Sequence, residues 1–212
     1  MVVYDYDSNA ILAEPIRNRQ TATIRNDLLN IQQILKSRGS DPKVYIIDNN
    51  CYSDSKEDMI NTPPHTHKQN AAEREIITCK NHFISGFSTT DSDFPIIKWY
   101  QLLTKILITL NLLLNYRVNP ALSPYAYLYD PCDFNRSPMA PPGTHVIVHN
   151  NTGNQTSWDH HGTPSCYIGP SLDHYRCMQC YIPTTGIVSI TDTLQYTTKE
   201  FVFPKTSTED YF

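Results

Sequence analysis

"TATIRNDLLNIQQILKSRGSDPKVYIID", Thr21 to Asp48, sets an amphipathic helix directly before a compact apolar strand. Ile24, Leu28, Ile31 and Leu35 recur at helical spacing on one face, while Arg25, Gln32 and Lys36 fall elsewhere. Thr21 or Thr23 can cap the start, and Gly39 followed by Pro42 stops the helix. The strand "KVYIID" then ends on Asp48. Upstream, "VVYDYDSNAILAEPI" reads as two short strands about a turn at Asp7-Ser8-Asn9. Strand, helix, strand is a crossover unit and favours a sheet covered by helices. The expectation is one sheet containing Val2–Tyr6, Ala10–Ile16 and Lys43–Asp48, with Thr21–Arg38 packed on it.

Working outward, "CYSDSKEDMINTPPHTH" is polar, contains Pro63-Pro64 and reads as loop, with one helical turn near Lys56 to Met59. The helical pattern returns from Asn70 to about Phe87, with Ala72, Ile76, Cys79 and Phe83 on one face. A second helix, Pro95 to Tyr116, is apolar nearly all round, ended by Pro120 and Pro124. Such a helix is buried on several sides, by its own core or by a second subunit, so a homodimer surface is expected along it. "SPMAPPG", Ser137 to Gly143, reads as a linker. Beyond it, "THVIVH", "SCYIG", "YRCMQCYIP" and "GIVSITDTL" read as a small antiparallel sheet or barrel. The division expected is 1–140, then a small β-rich domain over 141–205, then a disordered tail over 206–212.

Size and composition agree with this. The 212 residues fit one medium domain, or a main domain with an appendage. Forty per cent hydrophobic content suffices for a core, and a formal charge of −4 argues against a generic, basic nucleic-acid binder. The most apolar run, Ile106 to Leu114, is interrupted by Thr109 and Asn111 and is too short to span a bilayer. No signal peptide is recognisable, and six scattered cysteines point to reduced thiols, so the expectation is a soluble intracellular protein.

Glu73 poses the functional question. Asn70 is a good N-cap, and Glu73 stands three residues on, where a capping-box acid reaches back. Yet "PPHTHKQNAAEREIITCKNHF", placed after "IIDNN", resembles the catalytic core of retroviral-type integrases, most closely that of copia-type retrotransposons. "NLLLNYRVNPALSPYAYLY" resembles the helix-to-loop passage after that core. "APPGTHVIVH" and "CYIGPSLDHYRCMQCYIP" resemble the strand-rich segment that follows it.

The resemblance implies an RNase H-like α/β fold, a mixed sheet with flanking helices, within a Pol polyprotein. It implies a D-D-E triad whose second acid ends a core strand and whose third opens a long helix. Asp48 and Glu73 match those two places as catalytic and metal-binding residues. Lys80, on the face of Glu73 seven residues later, matches a lysine that reaches DNA. The chemistry implied is DNA integration: two Mg²⁺ (or Mn²⁺) ions about 3.5–4 Å apart clamp the attacking and leaving oxygens of phosphodiester transfer. The partners implied are element ends and target DNA, and the compartment is the nucleus. Two departures stand out. The first triad acid has no counterpart, because "YDYDSNA" matches the family's second strand, where Asp5 and Asp7 are not catalytic. The gap from Asp48 to Glu73 is 73 − 48 − 1 = 24 residues, shorter than in the family. An inactive, degenerate copy is therefore expected.

The tail crowds His160, His161, Cys166, His174, Cys177 and Cys180 together in sequence, and Cys177-Met-Gln-Cys180 invites a zinc-dependent interaction module. If Tyr175 to Ile182 is one unbroken strand, residues three apart point to opposite faces and cannot share an ion. His65 and His67 read as phosphate donors or as solvated groups. Arg17, Arg19, Arg25, Lys36 and Arg38 read as solvated surface, and Trp99 and Trp158 as packing residues.

Overall fold

The computed structural model describes residues 1–42, 45–47, 59–61, 71–150 and 160–197. It is a mixed α/β protein in two compact units, Met1–Lys80 with Leu107–Pro131, and Asn81–Ile106 with Cys132–Phe212. This grouping by contact and the sequence division at residue 140 are different partitions, and the latter stands as a proposal. Asp48, His65, His67, Asn70, Trp158 and the 206–212 tail lie outside the described residues.

In the first unit, strands β1 (Val2–Asp5) and β2 (Ala10–Ala13) form a hairpin, Val2 opposite Ala13 and Asp5 opposite Ala10. Its turn is where the sequence places it. The Asp5 carboxylate accepts from Ser8 N–H and Oγ, and Asn9 takes a positive φ of 60°, which asparagine tolerates. Helix α1 (Thr21–Ser37) buries Ile31 and Leu35 from the predicted stripe. Gln20 rather than either threonine occupies the cap; Thr23 Oγ1 instead donates to Asn18, 2.8 Å away. Gly39, with φ 82°, ends the helix as expected, and Ser40 N–H returns to Leu35 O. The hairpin is buried on both faces. Ala10 and Leu12 meet Ile31, Leu35 and Leu128, while Ile11 meets Cys79 and Leu110.

The single three-stranded sheet is not formed. Strand β3 (Tyr45–Ile47) pairs in parallel with β4 (Met59–Asn61), Tyr45 opposite Met59, in a separate two-stranded sheet. Met59 is thus in a strand, not a helical turn. The hairpin explains part of this. Met1 and Glu14 exchange backbone bonds, so the alternating ladder turns Ile11 N–H and C=O outward from β2. There the buried Asn111 side chain takes both, accepting from Ile11 N–H at 2.9 Å and donating to Ile11 O at 2.7 Å. A carboxamide thus occupies one of the two edges at which a third strand could add.

Helix α2 (Ala71–Phe87) matches its expected span. Where one helix was expected over Pro95–Tyr116, a 3₁₀ turn (Ile96–Lys98) precedes α3 (Tyr100–Leu113). Pro124 opens α4 (Pro124–Tyr129) instead of closing α3: its missing N–H costs nothing at a first turn, and Ser123 Oγ caps Ala126 N–H at 3.1 Å. Leu102, Leu103, Ile106, Ile108 and Leu110 are buried within the chain, while Leu113 is exposed. Ile97, Trp99 and Tyr100 of the same stretch are exposed as well, so the expected dimer surface stands as an expectation.

The second unit carries the antiparallel sheet expected of the tail. Its strands are β5 (His145–His149), β6 (Gly162–Pro170), β7 (Met178–Ile182), β8 (Ile187–Thr191) and β9 (Leu194–Tyr196), in spatial order β8-β7-β6-β5-β9. Strand alternation serves two cores. Cys166, Ile168 and Tyr181 pack with Phe87, Phe94, Leu102 and Ile106; Tyr167, Met178 and Cys180 pack with Val146 and Val148. The "SPMAPPG" segment is packed, not a free linker. Ser137 and Gly143 are buried and Ala140 lies against the second core. Gly143 holds φ 71°, donates to Tyr167 O at 2.7 Å and accepts from Asp91 N–H at 2.8 Å.

Candidate functional site

Helix α2 positions the one described acid of the expected pair. Its 17 residues begin at Ala71, which puts Glu73 in the first turn, where an acid suits the helix dipole. Glu73 is half-buried, and Lys80 is exposed two turns on. A seven-residue step is close to two full turns, so Glu73 and Lys80 share a helix face. Cys79, next to Lys80, points into the core with Ile11 and Leu110, and burial pushes its thiol pKa up. The helix is therefore anchored through Cys79 while the Glu73–Lys80 side is at least partly open to solvent.

The metal test is made on the donor set. Hard divalent cations need several carboxylate oxygens, and a two-ion site needs them from more than one element. Among the described residues no group of three or more His, Cys, Asp or Glu is arranged to hold a metal ion. Glu73 alone does not supply such a set, and no step through a metal is derived. Asp5 serves its own turn through Ser8.

The histidines and cysteines of the tail are distributed differently from the sequence premise. β7 begins at Met178, because Arg176 takes a left-handed φ of 55° and breaks the extended run. Cys177 thus lies in the turn, its thiol donating to Tyr175 O at 3.4 Å. Cys180 is in one core and Cys166 in the other, and burial pushes both thiols up to about 12. His174 pairs with Ser171 Oγ at 3.1 Å, and His160 and His161 are exposed. The unbroken strand that argued against a shared ion is replaced by a turn and two cores, and the buried sulfurs of Cys166 and Cys180 lie in different cores.

Two residues with clear physical roles escaped sequence reading. Asn111 looked like an interruption of an apolar run and is instead the hairpin's edge partner. Lys105 lies six residues earlier on α3, 5% exposed, and burial lowers its ammonium pKa to about 8. Gly169 faces it, and a Cβ there would stand 3.2 Å from Lys105 Cβ. Trp99, expected as packing, sets its ring edge-on to Phe83 at 5.7 Å and is still 41% exposed. Arg38, expected as solvated surface, makes a bidentate pair with Asp130 at 2.9 and 3.2 Å.

No family model matches this sequence, and no curated protein is similar to it at a significant level. Among solved structures it is similar to a chain in the cryo-EM structure of the simian T-cell lymphotropic virus intasome in complex with PP2A regulatory subunit B56 gamma. The identity is 16% over 93% of this chain and 74% of that chain, with a TM-score of 0.43. A likeness at that level does not establish a shared fold. No helix of the described residues is long and apolar enough to cross a membrane.

Proposed function

We propose that this chain is an integrase-like, nucleic-acid-binding protein of retrotransposon descent that lacks strand-transfer activity on its own. The reading rests first on the order of the sequence motifs, from "IIDNN" through "PPHTHKQNAAEREIITCKNHF" to the strand-rich tail. The structural observation that carries it is the start of α2. Glu73 stands in the first turn after a Pro-containing segment, with Lys80 exposed on the same face. An exposed lysine two turns along the same face suits a contact to a DNA phosphate, and a helix-start acid would serve a DNA backbone only through a bound cation. On this reading, residues 1–140 descend from an RNase H-like integrase core and 141–205 from its strand-rich appendage. Asp48 and Glu73 are remnants of the metal-holding acids, Mg²⁺ is the metal they would have served, and His67 joins Lys80 as a phosphate contact. Inactivity of these residues on their own follows from the 24-residue gap between Asp48 and Glu73 (73 − 48 − 1), short for the family the sequence resembles, since positioning governs this chemistry.

The test has two arms. In the first, labelled duplex and single-stranded DNA of random sequence are titrated across a salt series. Binding that weakens with salt, with a log–log slope reduced by about 1 in Lys80→Ala, is the expected result. Absence of DNA binding at low salt rejects the nucleic-acid part. In the second arm, strand transfer is assayed with Mg²⁺ or Mn²⁺ on the parent chain and on Glu73→Gln. Neither is expected to react. Activity that Glu73→Gln abolishes would show a working site and overturn the inactive reading.

A further inference from the structure

The five-stranded sheet ends on β8 at one side, and among the described residues no strand pairs with its outer edge. β8 is "IVSIT", with Ile187 59%, Val188 42% and Ile190 49% exposed. An open edge with apolar side chains is a template for another strand, and folded proteins usually blunt it with charge, proline or a bulge. β8 has none of these. Its residues are uncharged, four of the five are β-branched, and its register with β7 runs from Met178/Thr191 to Ile182/Ile187 without a shift. The strand has good strand propensity, and its apolar side chains remain exposed on both faces.

We propose that β8 is the docking edge for β8 of a second copy, the two strands pairing antiparallel about Ser189 to continue the sheet across a two-fold axis. The occupant follows from the sequence of the edge itself. Centring the pair on Ser189 sets Val188 against Ile190 of the partner subunit and Ile187 against Thr191 of the partner subunit. Every directly opposed pair within the strand is uncharged. Asp192, the first ionisable residue after the strand, falls opposite Gly186, so no like charges meet. An edge complementary to itself in antiparallel register needs no other partner, and two-fold dimers are the commonest closed homo-oligomers. The opposite edge offers less, since β9 has only three residues. This inference is independent of the integrase reading.

Val188 and Ile190 are two apart and share a face, so the symmetric pair brings them together twice. That geometry supplies the test. The full chain is examined by sedimentation velocity, with V188K/I190K and V188E/I190E made alongside it and checked for native circular dichroism. Both positions are already exposed within one copy, so folding should persist. The parent is expected to dimerise reversibly, each charged variant alone to lose the dimer, and an equimolar mixture to regain it. A parent that stays monomeric up to its solubility limit overturns the proposal. So does a dimer that survives in both variants, or a mixture that fails to restore it.

Discussion

Replacing Asn111 with leucine tests the hairpin edge directly. Asn111 is 3% exposed and its carboxamide makes three bonds, to Ile11 N–H (2.9 Å), Ile11 O (2.7 Å) and Leu107 O (3.1 Å). Leucine leaves the N–H and C=O of fully buried Ile11 without that partner, at about 1–3 kcal/mol for each stranded group. The Leu107 carbonyl can fall back on its place in the helix, so it contributes little. Burying the apolar leucine side chain offsets about 1–2 kcal/mol of that loss. The net expected cost is about 2–4 kcal/mol, a shift of about a hundredfold in the unfolding equilibrium. Urea unfolding followed by circular dichroism reads the total, and hydrogen exchange at the Ile11 amide locates it. Asn111→Asp sharpens the reading. It keeps an acceptor for Ile11 N–H but sets a buried carboxylate against two carbonyl oxygens, which raises its pKa in the folded state. It should therefore be worse than leucine at neutral pH and recover as pH falls, when the folded state takes up the proton. A cost under about 0.5 kcal/mol for Asn111→Leu, or an Ile11 amide equally protected in parent and variant, refutes the edge-partner role.

Gly143→Ala should destabilise the second unit by more than about 2 kcal/mol, since φ 71° is strained for alanine and the added Cβ would lie 2.3 Å from Thr90 Cγ2; thermal unfolding checks it. Cys166 and Cys180, both pushed up to about 12 by burial, should resist iodoacetamide at pH 8 in the native protein and react once it is unfolded, read by mass spectrometry. Lys105 gives a pH signature. Its folded pKa is lowered to about 8 from 10.5, so the unfolded state holds more protons between those values and this group makes stability rise with pH across that window. The buried thiols act in the opposite sense above pH 9, so the clean readout is the difference between parent and Lys105→Met. The parent should gain on the variant from pH 8 to 10.5, and equal slopes would mean that Lys105 is not held in a desolvated state.

What the sequence disclosed depended on whether one residue's neighbours along the chain set its fate. α1 and α2 were legible because Ile31 and Leu35, or Cys79 and Phe83, meet the core at a period the chain itself repeats. The hairpin turn was legible because its bonds are local: Asp5 accepts from Ser8 three residues on, and Asn9 accepts from the Tyr4 hydroxyl five residues back. The pairing of β3 with β4 was not. Three residues, "MIN", carry no period from which a partner could be read. The hairpin edge is hidden in the same way: Asn111 reaches Ile11 across 100 positions of sequence, and nothing in an apolar run announces that its one amide will serve as a strand. The tail shows the same limit. Alternation identified the strands, but the break before β7 comes from Arg176 holding a left-handed φ that glycine or asparagine would have signalled and arginine does not. Its N–H donates to Arg136 O at 2.8 Å, a contact outside any local pattern, and that bond is what makes the conformation affordable. Candidate site residues divide on the same line. Glu73 was legible as a helix-start acid because helix starts are local, whereas its service to a second acid is a question of convergence between elements. Asp48 lies outside the described residues, so that convergence is decided by chemistry in solution: parent and Glu73→Gln compared for strand transfer, on the same DNA that tests Lys80.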